Sequence, residues 1–276
     1  MFRKIVKQGN SAYTLTLPAN WVKSNNLDFG DYVELIESNQ NILISTSKSG
    51  QVESVELDLR GVVRPEMFQI LICTYIKGFD KISVKHDDLR TILDVNNEFT
   101  GMVLEESSND NAIFSSIVLK DNLEVDTLIR KTGFFLKDLS NKLVLVSAGK
   151  FNPIEFERLE KVMDKNILYI LRYLNKYENV SNSYTKFLYA YVFDMIGDLM
   201  SEICSHIGND VKLAKLVSKN VNLYVDYIFK EDTGNLVMDL RKFRNSIEKK
   251  TFTDGLVYSL AEVMYNFIGV LIHARK

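Results

Sequence analysis

"KQGNSAYTLTLPANWVKSNN", residues 7–26, decides how the chain begins to fold. It opens on polar turn-forming residues, alternates threonine with leucine from Thr14 to Leu17, meets Pro18 and runs into a short amphipathic turn. Alternation of period two before a proline is the pattern of a short strand, and "ANWVKSNN" has the spacing of a helical turn. The flanking stretches "KIVKQG", "GDYVELIES" and "NILIST" alternate in the same way. Residues 1–47 therefore read as short strands around one helical turn. Such a segment buries one thin apolar face, here Leu15, Leu17, Val33, Leu35 and Leu43, which is too little for independent stability. A second copy of the chain is expected to complete that core.

Charge is unevenly placed. The chain of 276 residues carries a net charge of -2, yet Arg3, Lys4, Lys7 and Lys23 all precede the first carboxylate, Asp28. A two-fold dimer would present that cationic set twice, and doubled basic surfaces favour a polyanion through counterion release. Arg3, Lys4 and Lys7 are the candidate phosphate contacts, joined by Lys23. Asn10, Ser11 and Tyr13, near the turn, are placed to reach base edges or the sugar-phosphate backbone. The alternative is that these cations form a solvated strand face.

The segment resembles the SpoVT–AbrB family of swapped-hairpin β-barrel DNA-binding domains. The resemblance rests on Lys4, Val6 and Lys7, on Gly9 and Ser11 in the turn, on "TLTLP" ending at Pro18, on Trp21, Val22 and Leu27, on Gly30, Asp31 and Val33, and on a closing strand near Ile44. It implies a dimer that binds double-stranded DNA. Many members carry arginine in the turn where this chain has Asn10 and Ser11.

After "SKSGQ", residues 47–51, the pattern becomes mixed. "VESVELDL", "RPEMFQILICTYIKG" and "DKISV" read as strand, helix and strand, which implies a parallel pair with a crossover helix. "HDDLRTILD" reads as a further helix, and "GMVLEE" and "AIFSSIVL" as two strands. Together they define a small α+β unit over 52–119. From residue 120 helical spacing takes over: one helix ends near Gly149, and the next starts at Asn152 with Pro153 and Glu155 in capping positions. Further helices are expected near 183–207, 211–230, 234–249 and 252–274, giving two groups of three. The fold class is multidomain α+β: a swapped-hairpin β-barrel segment over 1–47, the unit over 52–119, and an all-α region over 120–276.

Within "YVFDMIGDLMSEICSHIG", residues 191–208, Asp194, Asp198, Glu202 and His206 recur at intervals of four. Like charges four apart on a helix cost about 0.2–0.5 kcal/mol per pair unless a cation offsets them. That cation is either a neighbouring lysine, Lys161 or Lys165, or a divalent metal. The stretch resembles the signature helix of PhoU-family phosphate regulators at Asp194, Ile196, Gly197 and Asp198. "VMDKNILYILR", residues 162–172, resembles the family's preceding helix, with Asp164 at its acidic position, and "SLAEVMYN" places Glu262 and Asn266 where a second copy of the motif belongs. The all-α region is thus expected to be PhoU-like, as two three-helix bundles. The resemblance implies metal binding by Asp164, Asp194, Asp198 and Glu202, and by Glu262 in the second copy, with zinc, iron, manganese or magnesium as the ion. SpoVT–AbrB, α+β and PhoU-like parts occur together in archaeal proteins of this type, which implies phosphate homeostasis.

The remaining composition sets bounds. Cys73 and Cys204 lie far apart beside apolar residues and are expected to be buried, reduced thiols in a cytosol. His86, His206 and His273 are scattered, so each is expected on the surface or in packing rather than as a ligand. No apolar run reaches the roughly 18 residues of a membrane span, and the chain reads as soluble, cytoplasmic and unprocessed. No Gly-x-Ser-x-Gly, phosphate loop or dinucleotide fingerprint is present, and Glu202 and His206 are one residue too far apart for a Glu-x-x-His di-metal site. The chain is accordingly read as a regulator rather than an enzyme. The alternative is an adaptor toward a phosphate transporter or sensor kinase, with the first domain reduced to dimerisation.

Overall fold

The computed structural model describes residues 3–9, 12–38, 41–45, 53–117, 125–177, 180–229 and 235–273. The chain divides into two compact units, Met1–Val52 and Glu53–Lys276.

The described residues of the first unit form two hairpins and a short helix. β1 (Val6–Gln8) pairs antiparallel with β2 (Ala12–Thr14), α1 (Ala19–Ser24) follows Pro18, and β3 (Glu34–Ser38) pairs antiparallel with β4 (Asn41–Ser45). Gly9 turns the first hairpin at φ +72°, a region only glycine enters without strain. Pro18 supplies the extended residue before α1, and Lys23 sits in the last turn, where a cation favours the helix dipole.

This unit has no interior of its own among the described residues. Ile5 is 71% exposed, Leu15 50%, Leu35 62% and Ile42 66%, while Leu17 and Val33 are only partly covered. The side chain of Leu43 lies outside the described residues.

The second unit begins with a four-stranded sheet in the order β5-β6-β8-β7. β5 (Ser54–Asp58) runs parallel to β6 (Lys81–Lys85) across the crossover helix α2 (Arg64–Ile76). α3 (Leu89–Glu98) follows, and β7 (Met102–Ser107) and β8 (Asn111–Ser116) close the sheet as an antiparallel hairpin. Asp88 caps α3 by accepting from the backbone N–H groups of Arg90 and Thr91, at 3.0 and 3.3 Å. Alternation sends Ile82, Val84, Ala112 and Phe114 into one core with Met67, Leu71, Tyr75, Ile92 and Val95 of the two helices. Tyr75 stacks on Phe99 at 4.5 Å, and Phe114 meets Phe99 edge-on at 5.1 Å.

One expectation is corrected here. Cys204 is buried, but Cys73 is exposed. Met67, Leu71 and Tyr75 define the inward stripe of α2, so Ile70 and Cys73, about 100° around the helix from their neighbours, fall on the outer side despite the continuous apolar run.

Among the described residues six helices complete the unit: α4 (Val125–Ser147), α5 (Pro153–Tyr177), α6 (Val180–His206), α7 (Val211–Phe229), α8 (Leu236–Ser246) and α9 (Phe252–His273). Their boundaries follow local chemistry. Asn152 Oδ1 accepts from Ile154 N–H at 2.9 Å at the start of α5, and Thr251 and Asp254 exchange side-chain-to-backbone bonds around the start of α9. Residues from all six helices share one core, in which α7 lies against α4 and α9 against α6, so the two triplets interlock. Among the described residues no helix is long and apolar enough to cross a membrane.

The helices are tied to the sheet by α5. Buried Arg172 donates to the carbonyls of Tyr75 and Phe79, both at 2.7 Å, and lies 4.8 Å from the Tyr75 ring. Asn175 donates to Ile76 O at 3.0 Å, and Lys176 pairs with Asp80. α5 side chains thus meet carbonyls at the C-terminal end of α2 and just beyond it.

Candidate nucleic-acid interface and carboxylate cavity

On the first unit, Arg3, Lys4, Lys7, Tyr13 and Lys23 are all exposed. β-pairing sets Lys7 directly opposite Tyr13, so cation and aromatic ring stand on the same hairpin face. Val6 and Thr14, the next pair, point to the other face, where Thr14 Oγ1 donates to Val6 O at 3.3 Å. Asn10 and Ser11 lie outside the described residues.

On the second unit, a cavity of about 590 Å³ opens between α2, α3, α5 and α6. Asp164 from α5 and Asp194 and Asp198 from α6 line it together. Gly197, between the two aspartates, leaves room for the end of the Met163 side chain from α5: a Cβ there would stand 2.1 Å from Met163 Cε. The spacing of four on each helix then turns the carboxylates to one side.

The structure adds a residue that sequence reasoning missed. Glu160, only 7% exposed, brings a carboxylate oxygen within 4.8 Å of oxygens from Asp164 and Asp198. Its signal was available, since Glu160 precedes Asp164 by four residues as Asp194 precedes Asp198. Asp164 Oδ1 is sealed from solvent with no hydrogen-bond partner. Burial raises the carboxyls of Glu160 and Asp198. Burial first, and then Glu160, Asp194 and Asp198, push Asp164 up to about 8. Burial and Asp198 push Asp194 up to about 6. Lys161 lines the same cavity, but among the described residues neither it nor Lys165 makes an ion pair with the group.

Other residues singled out in the sequence stand apart. Glu202 is exposed and faces His206 Nδ1 at 3.6 Å. Glu262 accepts from Tyr258 Oη at 3.0 Å and stands 3.9 Å from Arg244, so a guanidinium already occupies the place of a cation there. Asn266 is exposed. His86 is 1% exposed, and neither ring nitrogen has a partner. The side chain of His273 lies outside the described residues.

Comparison with known proteins bears on the first unit. The family model described as antidote-toxin recognition MazE, bacterial antitoxin, matches residues 6–52. This supports a MazE/AbrB-type N-terminal domain. The PhoU resemblance gains no such support. No curated protein and no solved structure gives a significant match to the chain.

Proposed function

We propose that this chain is a non-enzymatic, homodimeric DNA-binding regulator of the cytoplasm that senses a signal through its helical region. The observation that carries the reading is the first unit: a MazE/AbrB-type segment with exposed cations and with apolar side chains that its described residues leave exposed or only partly covered. A partner copy buries them and doubles the cationic face. If so, a fragment of residues 1–52 should unfold with a midpoint that rises with protein concentration, as mass action requires of an obligate dimer. A monomeric mass with a concentration-independent midpoint would overturn it.

The carboxylate group supports a cation as the signal. Glu160, Asp164 and Asp198, buried, half-buried and exposed in turn, supply only hard oxygen donors, and carboxylates crowded with no ion pair among the described residues fit a divalent ion. That donor set suits magnesium, manganese or iron(II) better than zinc, which favours nitrogen and sulfur. When bound, the ion would neutralise the group and hold α5 to α6. The resemblance at Asp194, Ile196, Gly197 and Asp198 makes phosphate status the physiological context.

Two other readings have separate support. The matched family's description points to an antitoxin-like regulator. The turn at Asn10 and Ser11, lacking arginine, favours an adaptor toward a phosphate transporter or sensor kinase. Absence of duplex binding by the full chain would favour the adaptor over the regulator.

A further inference from the structure

Another depression, of about 470 Å³, lies between α7 and α8 and shares no lining residue with the carboxylate cavity. Its floor is apolar, where Leu216 and Leu223 from α7 meet Phe243 from α8. Lys219 stands on one rim and Lys242 on the other, both exposed. From Val211 to Val225 the chain carries no Asp or Glu, while Lys212, Lys215 and Lys219 recur on the outer side of α7. Among the described residues none of these three lysines is in an ion pair, and Lys242 has only Asp239, at 3.9 Å. The rims therefore carry an excess of positive charge that attracts an anionic partner.

The groove also holds a buried polar group with one end unmet. Asn220 is 4% exposed and lines the groove. Its Nδ2–H donates to Leu216 O at 2.8 Å, one turn back on α7, and the side chain makes no other hydrogen bond among the described residues, which leaves Oδ1 open. An amide oxygen only accepts, so it needs an N–H or O–H and gains nothing from a phosphate or an ionised carboxylate. One ligand must therefore bring negative charge to the rims, an apolar group to the floor and a donor to Asn220. A nucleic-acid backbone brings only the first. A docked helix has spent most of its backbone N–H groups on itself, whereas an extended peptide still has them free.

We propose that the groove between α7 and α8 holds a short extended acidic segment of a partner protein, with carboxylates at Lys219 and Lys242, an aliphatic or aromatic side chain over Leu216, Leu223 and Phe243, and a backbone N–H at Asn220 Oδ1. From Lys212 to Leu223 the face of α7 rises about 17 Å, the reach of about five extended residues. The proposal stands whether or not the carboxylate group of α5 and α6 binds an ion.

The test is selection of a phage-displayed random heptapeptide library on the immobilised full chain, after which the enriched peptide is synthesised and its binding followed by fluorescence anisotropy. Selection should return acidic residues flanking one aliphatic or aromatic residue. Lys219→Glu combined with Lys242→Glu should weaken that peptide at least about tenfold, the loss of two charge-assisted contacts, with the melting temperature unchanged because both side chains are exposed. On the wild-type chain, serine in place of the peptide's apolar residue should weaken binding about tenfold as well. Enrichment of peptides without acidic residues, or an acidic peptide bound equally by wild type and double variant, would overturn the proposal. So would binding that survives the serine replacement, which would leave the lysines as a general polyanion surface.

Discussion

The affinity of the full chain for duplex DNA should fall about a thousandfold between roughly 50 and 200 mM salt. Arg3, Lys4 and Lys7, each exposed and each present twice in a dimer, would engage about six phosphates, and each phosphate contributes about 0.9 to the slope of log K against log salt. The slope is therefore near -5. Replacing all three residues with alanine should flatten it strongly and remove most of the low-salt affinity. Because the side chains are exposed and on one short segment, folding of the second unit should not change. Fluorescence anisotropy at several salt concentrations gives the slope directly. A triple variant that binds like the wild type would show that these cations are a solvated face.

Manganese or magnesium should raise the melting temperature of the wild type and leave Asp198→Ala unmoved. An ion that binds only the folded chain stabilises it by RT ln(1 + [L]/Kd), about 2.7 kcal/mol at a hundredfold excess over Kd. For a chain of this size that is about 5–10 °C. The effect should depend on pH with a definite sign. Asp164 and Asp194 hold their protons to about 8 and about 6 in the folded chain, well above the ordinary carboxylate value, so the folded state binds more protons than the unfolded state across that interval. Without metal, their contribution to stability is full at acid pH and is lost as pH rises through about 6 and then about 8. Metal displaces those protons, so its stabilising effect should grow over the same interval. Thermal denaturation at pH 5, 6, 7 and 8 with and without the ion distinguishes this from a flat response, which would return the carboxylates to an ordinary polar face.

Local features of the fold were legible because they depend on neighbours in sequence. Alternation marked β3 and β4, whereas β2 ends at Thr14 and leaves the alternating Leu15–Leu17 stretch outside any strand; Asn152 with Pro153 marked the start of α5. Asp194 and Asp198 were legible as a pair because helix geometry alone sets them on one face. The site as a whole was not. Glu160 joins it because α5 packs on α6, and Glu98 lines the same cavity because α3 borders it. Both facts come from packing between distant segments. Glu262 shows the converse, since it repeats the acidic position, but Arg244 and Tyr258 take its carboxylate. Cys73 shows that an unbroken apolar run on a helix still has an outer side.

In the proposed regulator, cation binding in the helical region alters DNA binding by the first unit. The most direct measurement is the duplex affinity of the full-length chain with and without manganese, at fixed ionic strength, for the wild type and Asp198→Asn. Coupling between sites is commonly worth about 5–150-fold in affinity. Manganese should therefore change the wild-type Kd by at least about fivefold and leave that of Asp198→Asn unchanged. A Kd that manganese leaves alone in both proteins, or shifts equally in both, would contradict the account.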